Sequence, residues 1–305
     1  MKTYVLYHFQ CVDGFGAALA FYLEYGKEAT YIPVQHGDPF PSIELNQLTN
    51  VYIVDFSYSR QILKELSLKV NKLVILDHHR SAMDDLKGLQ EELQMEQALG
   101  DQHIINFDME HSGTVLAFRH LFPKIHIPML FKYIEDKDLW KFELTKSKEV
   151  NAALETYPFD FEVWKGLINE TDRLAKEGEI CLRFKNKIVE DICQNHGWAI
   201  VSLYPGLDAS VEPSGTKIEL NYEGYCVPCA NASYAWSEAG NKLLEIYPES
   251  PFVLYYFDRI KDGKRQYGIR ARKDFDAIPI AKAFGGGGHP QACGFQVKLP
   301  NRYFE

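Results

Sequence analysis

No run of about 18 apolar residues occurs in this chain, so no membrane-spanning helix and no membrane partner are expected. Cysteine is scarce. Six residues in 305, at Cys11, Cys181, Cys193, Cys226, Cys229 and Cys293, are too few and too scattered for a disulfide framework. Basic residues do not prevail either. Lys and Arg number 33 against 42 Asp and Glu, a net charge of −9, which argues against a protein that grips long nucleic acid by its phosphates. A small phosphate ester in a local basic pocket stays open. The N-terminal MKTYVLYHFQCVDGFGAALA lacks a signal-peptide shape, because His8, Gln10 and Asp13 interrupt its apolar start. Internal repeats are absent, as is low complexity beyond one four-glycine tract. With 46% hydrophobic and 25% charged residues, disorder, collagen and coiled coil are excluded as the main architecture. The expectation is a cytoplasmic, globular, two-domain protein.

What is present is an alternation. Thr3–Tyr7, Asn50–Val54 and Leu73–Leu76 are short apolar, mostly β-branched runs, and segments such as Arg60–Ser67 between them carry helical spacing. That order predicts an α/β fold with a mainly parallel N-terminal sheet covered by helices on both faces. Residues 84–120 read mostly as helix, with His111-Ser112-Gly113-Thr114 as a turn that starts one. Glu170–Asn195 is helical in period, broken only by Gly178, and reads as a connection. From about residue 197 short β-rich pieces dominate, followed by a helix that runs into the glycines. The division is therefore 1–170 for a catalytic domain, 171–196 for a connecting helix and 197–305 for a smaller α/β substrate-binding domain.

Chemistry gathers at the carboxyl ends of the predicted strands, where ligands bind in such sheets. His8, Cys11 and Asp13 follow the first, Asp55 the second, and Asp77, His78 and His79 the third; Asp136 and Asp138 end a later apolar segment. A lone strand-end Asp is usually a turn or cap residue. So many carboxylates at one edge need cations to neutralise them. Carboxylate and imidazole donors suit Mn²⁺, Fe²⁺ or Mg²⁺, with Zn²⁺ open. An Asp shared by two cations would hold them about 3.5–4 Å apart, the spacing used in phosphoryl chemistry.

The motifs in order are His8…Asp13-Gly14, Asp55 in IVDFS, Asp77-His78-His79 in VILDHHRS, Asp136 in IEDKDLW, and Gly285-Gly286-Gly287-Gly288-His289. This set resembles the DHH phosphoesterase superfamily with its associated DHHA1 domain, in particular its nanoRNase-like, oligoribonuclease-like and dinucleotide phosphodiesterase members. The resemblance spans nearly the whole chain. It implies divalent-metal hydrolysis of phosphoester or phosphoanhydride bonds, usually with Mn²⁺. Carried over by position, it implies one ion on Asp13, Asp55, His78 and Asp136, and another on His8 and Asp55. It implies that His79 touches the phosphate or assists the leaving group, and that Asp77 orients its neighbours. Asp138 is the alternative to Asp136. The sequence departs from the pattern at Cys11-Val12-Asp13, where the first Asp of a D-x-D pair is missing. Either Cys11 is a ligand and shifts the preference towards Fe²⁺ or Zn²⁺, or it is a small packed residue and the second site is weak; one or two ions are compatible.

In the second domain the glycines expose backbone N–H groups to an anion, and His289 follows at once. Arg270 and Arg272 alternate in YGIRAR, which places both on one face of a strand. With Gly286, Gly287, Gly288 and His289 they are expected to hold the non-reacting end of a short phosphorylated substrate in a cleft between domains. Short oligonucleotides, linear or cyclic dinucleotides and 3′,5′-bisphosphate nucleosides fit. Long nucleic acid is not expected, and a homodimer is compatible. Tyr267, Phe284 and Trp140 are candidate base-stacking residues. Cys226-Val227-Pro228-Cys229 has no second pair and reads as packed thiols.

Overall fold

A computed structural model of the chain describes residues 1–96, 103–202, 211–212 and 224–299. It divides into two compact units, Met1–Leu182 and Arg183–Glu305. In the first, the three β-branched runs are too short and too apolar for surface helices and form strands. Five strands, β1 (Lys2–His8), β2 (Ala29–Val34), β3 (Thr49–Val54), β4 (Lys72–Asp77) and β5 (Ile104–Phe107), pair wholly in parallel in the order β2-β1-β3-β4-β5. The fold is α/β. Side chains alternate across the sheet. Val5, Tyr52, Val54, Val74 and Leu76 face one core with helices α1 (Val12–Tyr25), α5 (Gly113–Leu121), α6 (Met129–Asp138), α7 (Ser147–Leu154) and α8 (Phe161–Leu167). Leu6, Val51, Ile53, Leu73 and Ile75 face the other core with α2 (Arg60–Ser67), α4 (Leu89–Glu96) and Leu86, which follows the short α3 (Arg80–Asp85). Strand order reverses between β1 and β3. The chain leaves β1 for β2 on one side and continues from β3 on the other, so the loops after β1 and β3 diverge and open a crevice at their carboxyl ends.

Two strands differ from the sequence expectation. β5 lies inside the stretch read mostly as helix; it is only four residues long and takes its partner, β4, from another part of the chain. β2 contains Pro33 and lies at the sheet edge, where a missing N–H is tolerated.

Helix α9 (Thr171–Gln194) runs through Gly178 without a break, and the boundary between the units falls inside it. The glycine is there for space. A Cβ at Gly178 would lie 1.8 Å from the Glu149 carbonyl oxygen on α7. Gly178→Ala gains about 1 kcal/mol of helix propensity but should lose more, because the clash is with backbone and overpacking typically costs about 1–3 kcal/mol. A lowered Tm is expected on thermal denaturation; an unchanged or raised Tm would contradict this packing.

The second unit holds β6 (Gly197–Ser202), β7 (Val211–Glu212), β8 (Gly224–Asn231), β9 (Phe252–Arg259), β10 (Lys264–Ala271), β11 (Gly287–His289) and β12 (Ala292–Lys298) in the order β11-β12-β10-β9-β8-β6-β7. All described pairs are antiparallel except β8 with β9. Helices α10 (Trp236–Ile246) and α11 (Ile278–Ala283) accompany the sheet. Cys226 and Cys229 both lie on β8, three residues apart, so their side chains leave opposite faces and cannot share an ion. Among the described residues no helix is long and apolar enough to cross a membrane.

Candidate metal centre

The crevice between β1 and β3 is where ionisable side chains meet. His8 closes β1, and the chain turns at Gln10 (φ 51°) into α1. The turn is tight: a Cβ at Gly14 would lie 2.6 Å from the His8 carbonyl oxygen. Asp13 sits in the first turn of α1, fully buried, and its carboxylate faces the amino end of α5. Gly113 and Thr114 donate their backbone N–H groups to Asp13 Oδ2 and Oδ1 at 2.6 and 3.0 Å, and Thr114 Oγ1 donates to the Asp13 carbonyl at 2.8 Å. A helix amino terminus favours a negative charge there. The His111–Thr114 segment does start a helix, with Ser112 as its cap.

Asp55 follows β3 with φ 57°, a left-handed conformation that Asp tolerates better than most non-glycine residues. Its N–H donates to the Leu76 carbonyl at 2.9 Å, which ties the strained residue to the end of β4. The two carboxylate oxygens face different groups. Oδ1 lies 3.1 Å from His78 Nε2, and Oδ2 lies 3.5 Å from His8 Nδ1. Gly113 presses on it: a Cβ there would lie 2.6 Å from Asp55 Cβ.

Asp77, His78 and His79 carry β4 into α3. Asp77 is wholly buried and saturated. Its Oδ2 accepts Ser57 Oγ at 2.7 Å, and its Oδ1 accepts the N–H groups of His78 and His79 at 2.8 and 3.2 Å and meets His79 Nδ1 at 2.7 Å. Asp77 is therefore placed to orient the loop and the His79 ring. Burial alone would raise its pKa, but the His79 charge and hydrogen bond overcome this and hold it at about 2. Burial lowers His79, and Asp77 more than restores it, so the net shift is upward. Because the folded Asp77 value lies below about 3.9, the unfolded reference, its contribution to stability is present above that pH and is lost as pH falls through about 2. His79, shifted upward, contributes below about 6.5 and loses its share as pH rises through its folded value. Asp77→Asn should flatten the acid limb of a Tm-against-pH curve below about pH 4; an unchanged limb would show that the pair does not contribute.

The preference for Asp136 over Asp138 is corrected. Both lie on α6, and residues two apart on a helix point about 200° apart. Asp136 turns away: its Oδ1 and Oδ2 accept the N–H groups of Glu143 and Leu144 at 2.9 and 3.2 Å. It closes the loop after α6, where Trp140 and Phe142 have positive φ. Asp138 Oδ2 lies 3.5 Å from His78 Nε2, beside Asp13 Oδ2 at 3.6 Å.

Electrostatically the cluster is unfinished as a bare polypeptide. Burial, then the charges of Asp138 and Asp55, push Asp13 well above the usual carboxylate range. Burial also raises Asp138, and Asp55 adds to it although His78 opposes. Asp55 goes the other way: burial would raise it, but the imidazoles of His78 and His8 hold it well below. His78 is lowered by burial and raised further by Asp55, Asp138 and Asp13, so it is strongly shifted upward. Cys11 is pushed up by burial and by the same carboxylates. Three sets in this unit have their ligand atoms within 4.8 Å of one another: Asp13–Asp55–His78, His8–Cys11–Asp55 and Asp55–Asp77–His79, the last already held together by the Asp77–His79 pair. Among the described residues, the buried Asp55 Oδ2 and His8 Nδ1 atoms make no hydrogen bond and meet only at 3.5 Å. Converging carboxylates with such loosely held buried ligand atoms fit divalent cations, which would displace the protons that these groups hold without them.

His36 was missed from sequence. It lies two residues beyond β2, its ring edge-on to those of His8 and His79 at 5.0 and 5.8 Å between centroids. Burial, then His79 and His8, lower its pKa to about 4. Only the recognition of β2 as a strand would have placed it at this edge.

In the second unit Arg272 is also corrected. It lies just past the end of β10, and its guanidinium donates to the carbonyls of Ser250 (2.9 Å), Leu244 (2.6 Å) and Tyr247 (2.9 Å), closing the carboxyl end of α10. Arg270 remains on the strand, bonded to the Ile269 carbonyl and Ser237 Oγ and lying over the Tyr255 ring at 5.4 Å. The glycine tract is a helix stop and an edge strand rather than an open loop. Gly286 N–H donates to the Ala281 carbonyl at 2.8 Å, and Gly287, Gly288 and His289 pair with Gly294, Cys293 and Ala292. A Cβ at Gly286 or Gly288 would lie 2.0 or 2.7 Å from a β12 carbonyl oxygen, so close strand approach explains these glycines. Tyr267 is buried in the core against Phe295, and the half-buried Phe284 stacks on the same ring at 4.5 Å. Trp140 is partly exposed.

No family model matches this chain. It is 28% identical over 306 residues to an uncharacterized protein of Acanthamoeba polyphaga mimivirus, a match that covers 95% of this chain and 66% of that one, just under two thirds of the relative's length. Among solved structures, a pGpG-specific phosphodiesterase, PggH from Vibrio cholerae, is similar at a TM-score of 0.47 and 10% identity, over 99% of this chain and 95% of that one. RecJ from Thermus thermophilus in complex with Mn²⁺ is similar at a TM-score of 0.43 and 11% identity, over 99% and 50% of the two chains.

Proposed function

We propose that this chain is a divalent-metal-dependent phosphoesterase of the DHH type that cleaves short phosphodiesters, short oligonucleotides or dinucleotides, to 5′-mononucleotides. One observation carries the reading: the two oxygens of Asp55 face two separate sets of ligand atoms in the crevice where the strand order reverses. Asp13, Asp55, His78 and Asp138 would hold one cation, and His8 and Asp55 a second; Mn²⁺ is the cation we assign to the first. Such cations supply a water of lowered pKa and offset charge on the phosphoryl oxygens. The rest falls to the polypeptide. The α5 amino terminus fixes the Asp13 carboxylate, and Asp77 fixes the His79 ring. His79, whose protonated form Asp77 favours, would donate to a phosphoryl oxygen or give its proton to the leaving alkoxide. Within the second unit, Arg270 is the group suited to an anionic substrate end. The net charge of −9 supports a short substrate over a long one.

The test is turnover of pApA by the purified full chain with Mn²⁺. Mononucleotide should accumulate with the wild type and not with Asp55→Asn. Wild-type turnover no higher than that of the variant would overturn the reading.

A further inference from the structure

The Cys11 side chain is not the oxygen-bearing cap that a helix start favours. Cys11 is the N-cap of α1, with extended backbone, φ −113° and ψ 131°, and its side chain makes no capping hydrogen bond. N-caps favour Ser, Thr, Asp or Asn because an oxygen can accept the free helix N–H groups. The Cys11 carbonyl accepts the Phe15 N–H at 2.9 Å, and the sulfur faces the Gly14 N–H. The sulfur also lies within 4.8 Å of a ring nitrogen of His8 and a carboxylate oxygen of Asp55. Independently of the cysteine, the Asp55 side chain is only 1% exposed; its Oδ2 and His8 Nδ1 face each other at 3.5 Å, and neither makes a hydrogen bond among the described residues. A buried acceptor, a buried imidazole nitrogen and a sulfur converge on one point.

We propose that Cys11 is a thiolate ligand and that His8, Cys11 and Asp55 form a site for a softer divalent cation, Zn²⁺ or Fe²⁺, distinct in selectivity from the oxygen-rich set Asp13–Asp55–His78–Asp138. The proposal deepens the metal-dependent reading above and rests on it. Imidazole, thiolate and one carboxylate are a donor set for Zn²⁺ or Fe²⁺, whereas three carboxylates and one imidazole suit Mn²⁺ or Mg²⁺. On coordination the thiol proton leaves to solvent and no electron moves. Charge then balances: three carboxylates (Asp13, Asp55, Asp138) and one thiolate match two divalent ions. The centre is thereby a mixed one, with Asp55 as the shared carboxylate.

X-ray absorption of the full chain loaded with one equivalent of Zn²⁺ tests this. The wild type should show a sulfur scatterer at about 2.3 Å, and Cys11→Ala, folded by circular dichroism, should lose it. In competition experiments Cys11→Asp should lower the preference for Zn²⁺ over Mn²⁺ by about tenfold or more. A wild type with no sulfur neighbour, one that binds no zinc, or a signal that persists in Cys11→Ala would overturn the thiolate site, even if Mn²⁺-dependent hydrolysis proceeds. A sulfur signal that behaves as described in a protein that hydrolyses no phosphodiester with any of these ions would leave the thiolate site standing and remove the phosphoesterase reading.

Discussion

Asp55→Asn should leave the fold in place while lowering phosphodiester hydrolysis about a thousandfold or more, the effect of losing several kcal/mol of charge stabilisation. Asn is the informative replacement. Asp55 sits at φ 57°, a region Asn enters readily, whereas Ala would add about 1–2 kcal/mol of backbone cost and confuse a folding defect with a chemical one. His78 does not become an isolated buried cation, because Asp13 and Asp138 remain at 3.6 and 3.5 Å. The amide oxygen of the substituted side chain could still accept a hydrogen bond, but the charge shared by both ligand sets is gone. Metal titration of the chelator-treated variant should therefore show weakened binding at both sites. Binding at wild-type strength would mean that Asp55 is a structural residue with an unusual backbone.

The second large effect is a dissociation between two residues on one helix. Asp136→Ala removes the acceptor of two part-buried hydrogen bonds and should destabilise the protein by about 1–3 kcal/mol. Metal affinity, measured at a temperature where the variant is folded, should stay near wild type. Asp138→Asn should do the reverse. The folded protein disfavours the ionised form of Asp138, through burial and the Asp55 charge, so its removal should leave the Tm of the metal-free protein unchanged or raise it. The same change removes a carboxylate beside His78 and should cut metal affinity about 10–100-fold or more. If Asp136→Ala abolishes binding while Asp138→Asn does not, the assignment of these two acids is inverted.

That pair also marks how far the sequence could be read. The three β-branched runs and the acids and imidazoles that follow them could be placed at one sheet edge, because strand period and parallel topology constrain them. The choice between Asp136 and Asp138 could not be made from their order after an apolar run. It depends on helical phase, and only the loop of Glu143 and Leu144 shows which face Asp136 serves. Arg272 fails for a similar reason. Alternation puts it beside Arg270 only while the strand lasts, and β10 ends at Ala271. His36 depended on β2, an edge strand interrupted by Pro33, and β5 on pairing with β4. The four glycines read as an anion cradle because glycine admits both a loop and a close strand pair; the distances to the β12 carbonyls favour the strand. Gly178, read as a break, is a contact with α7 that spacing along the chain does not encode.

The most direct measurement is anomalous diffraction, at the manganese and zinc edges, from crystals of the full chain soaked in Mn²⁺ and Zn²⁺ together. Two peaks about 3.5–4 Å apart should flank Asp55, manganese against Asp13, His78 and Asp138 and zinc against His8 and Cys11. A map with no ion within coordinating distance of Asp55 would contradict the assignment of this crevice as a metal centre.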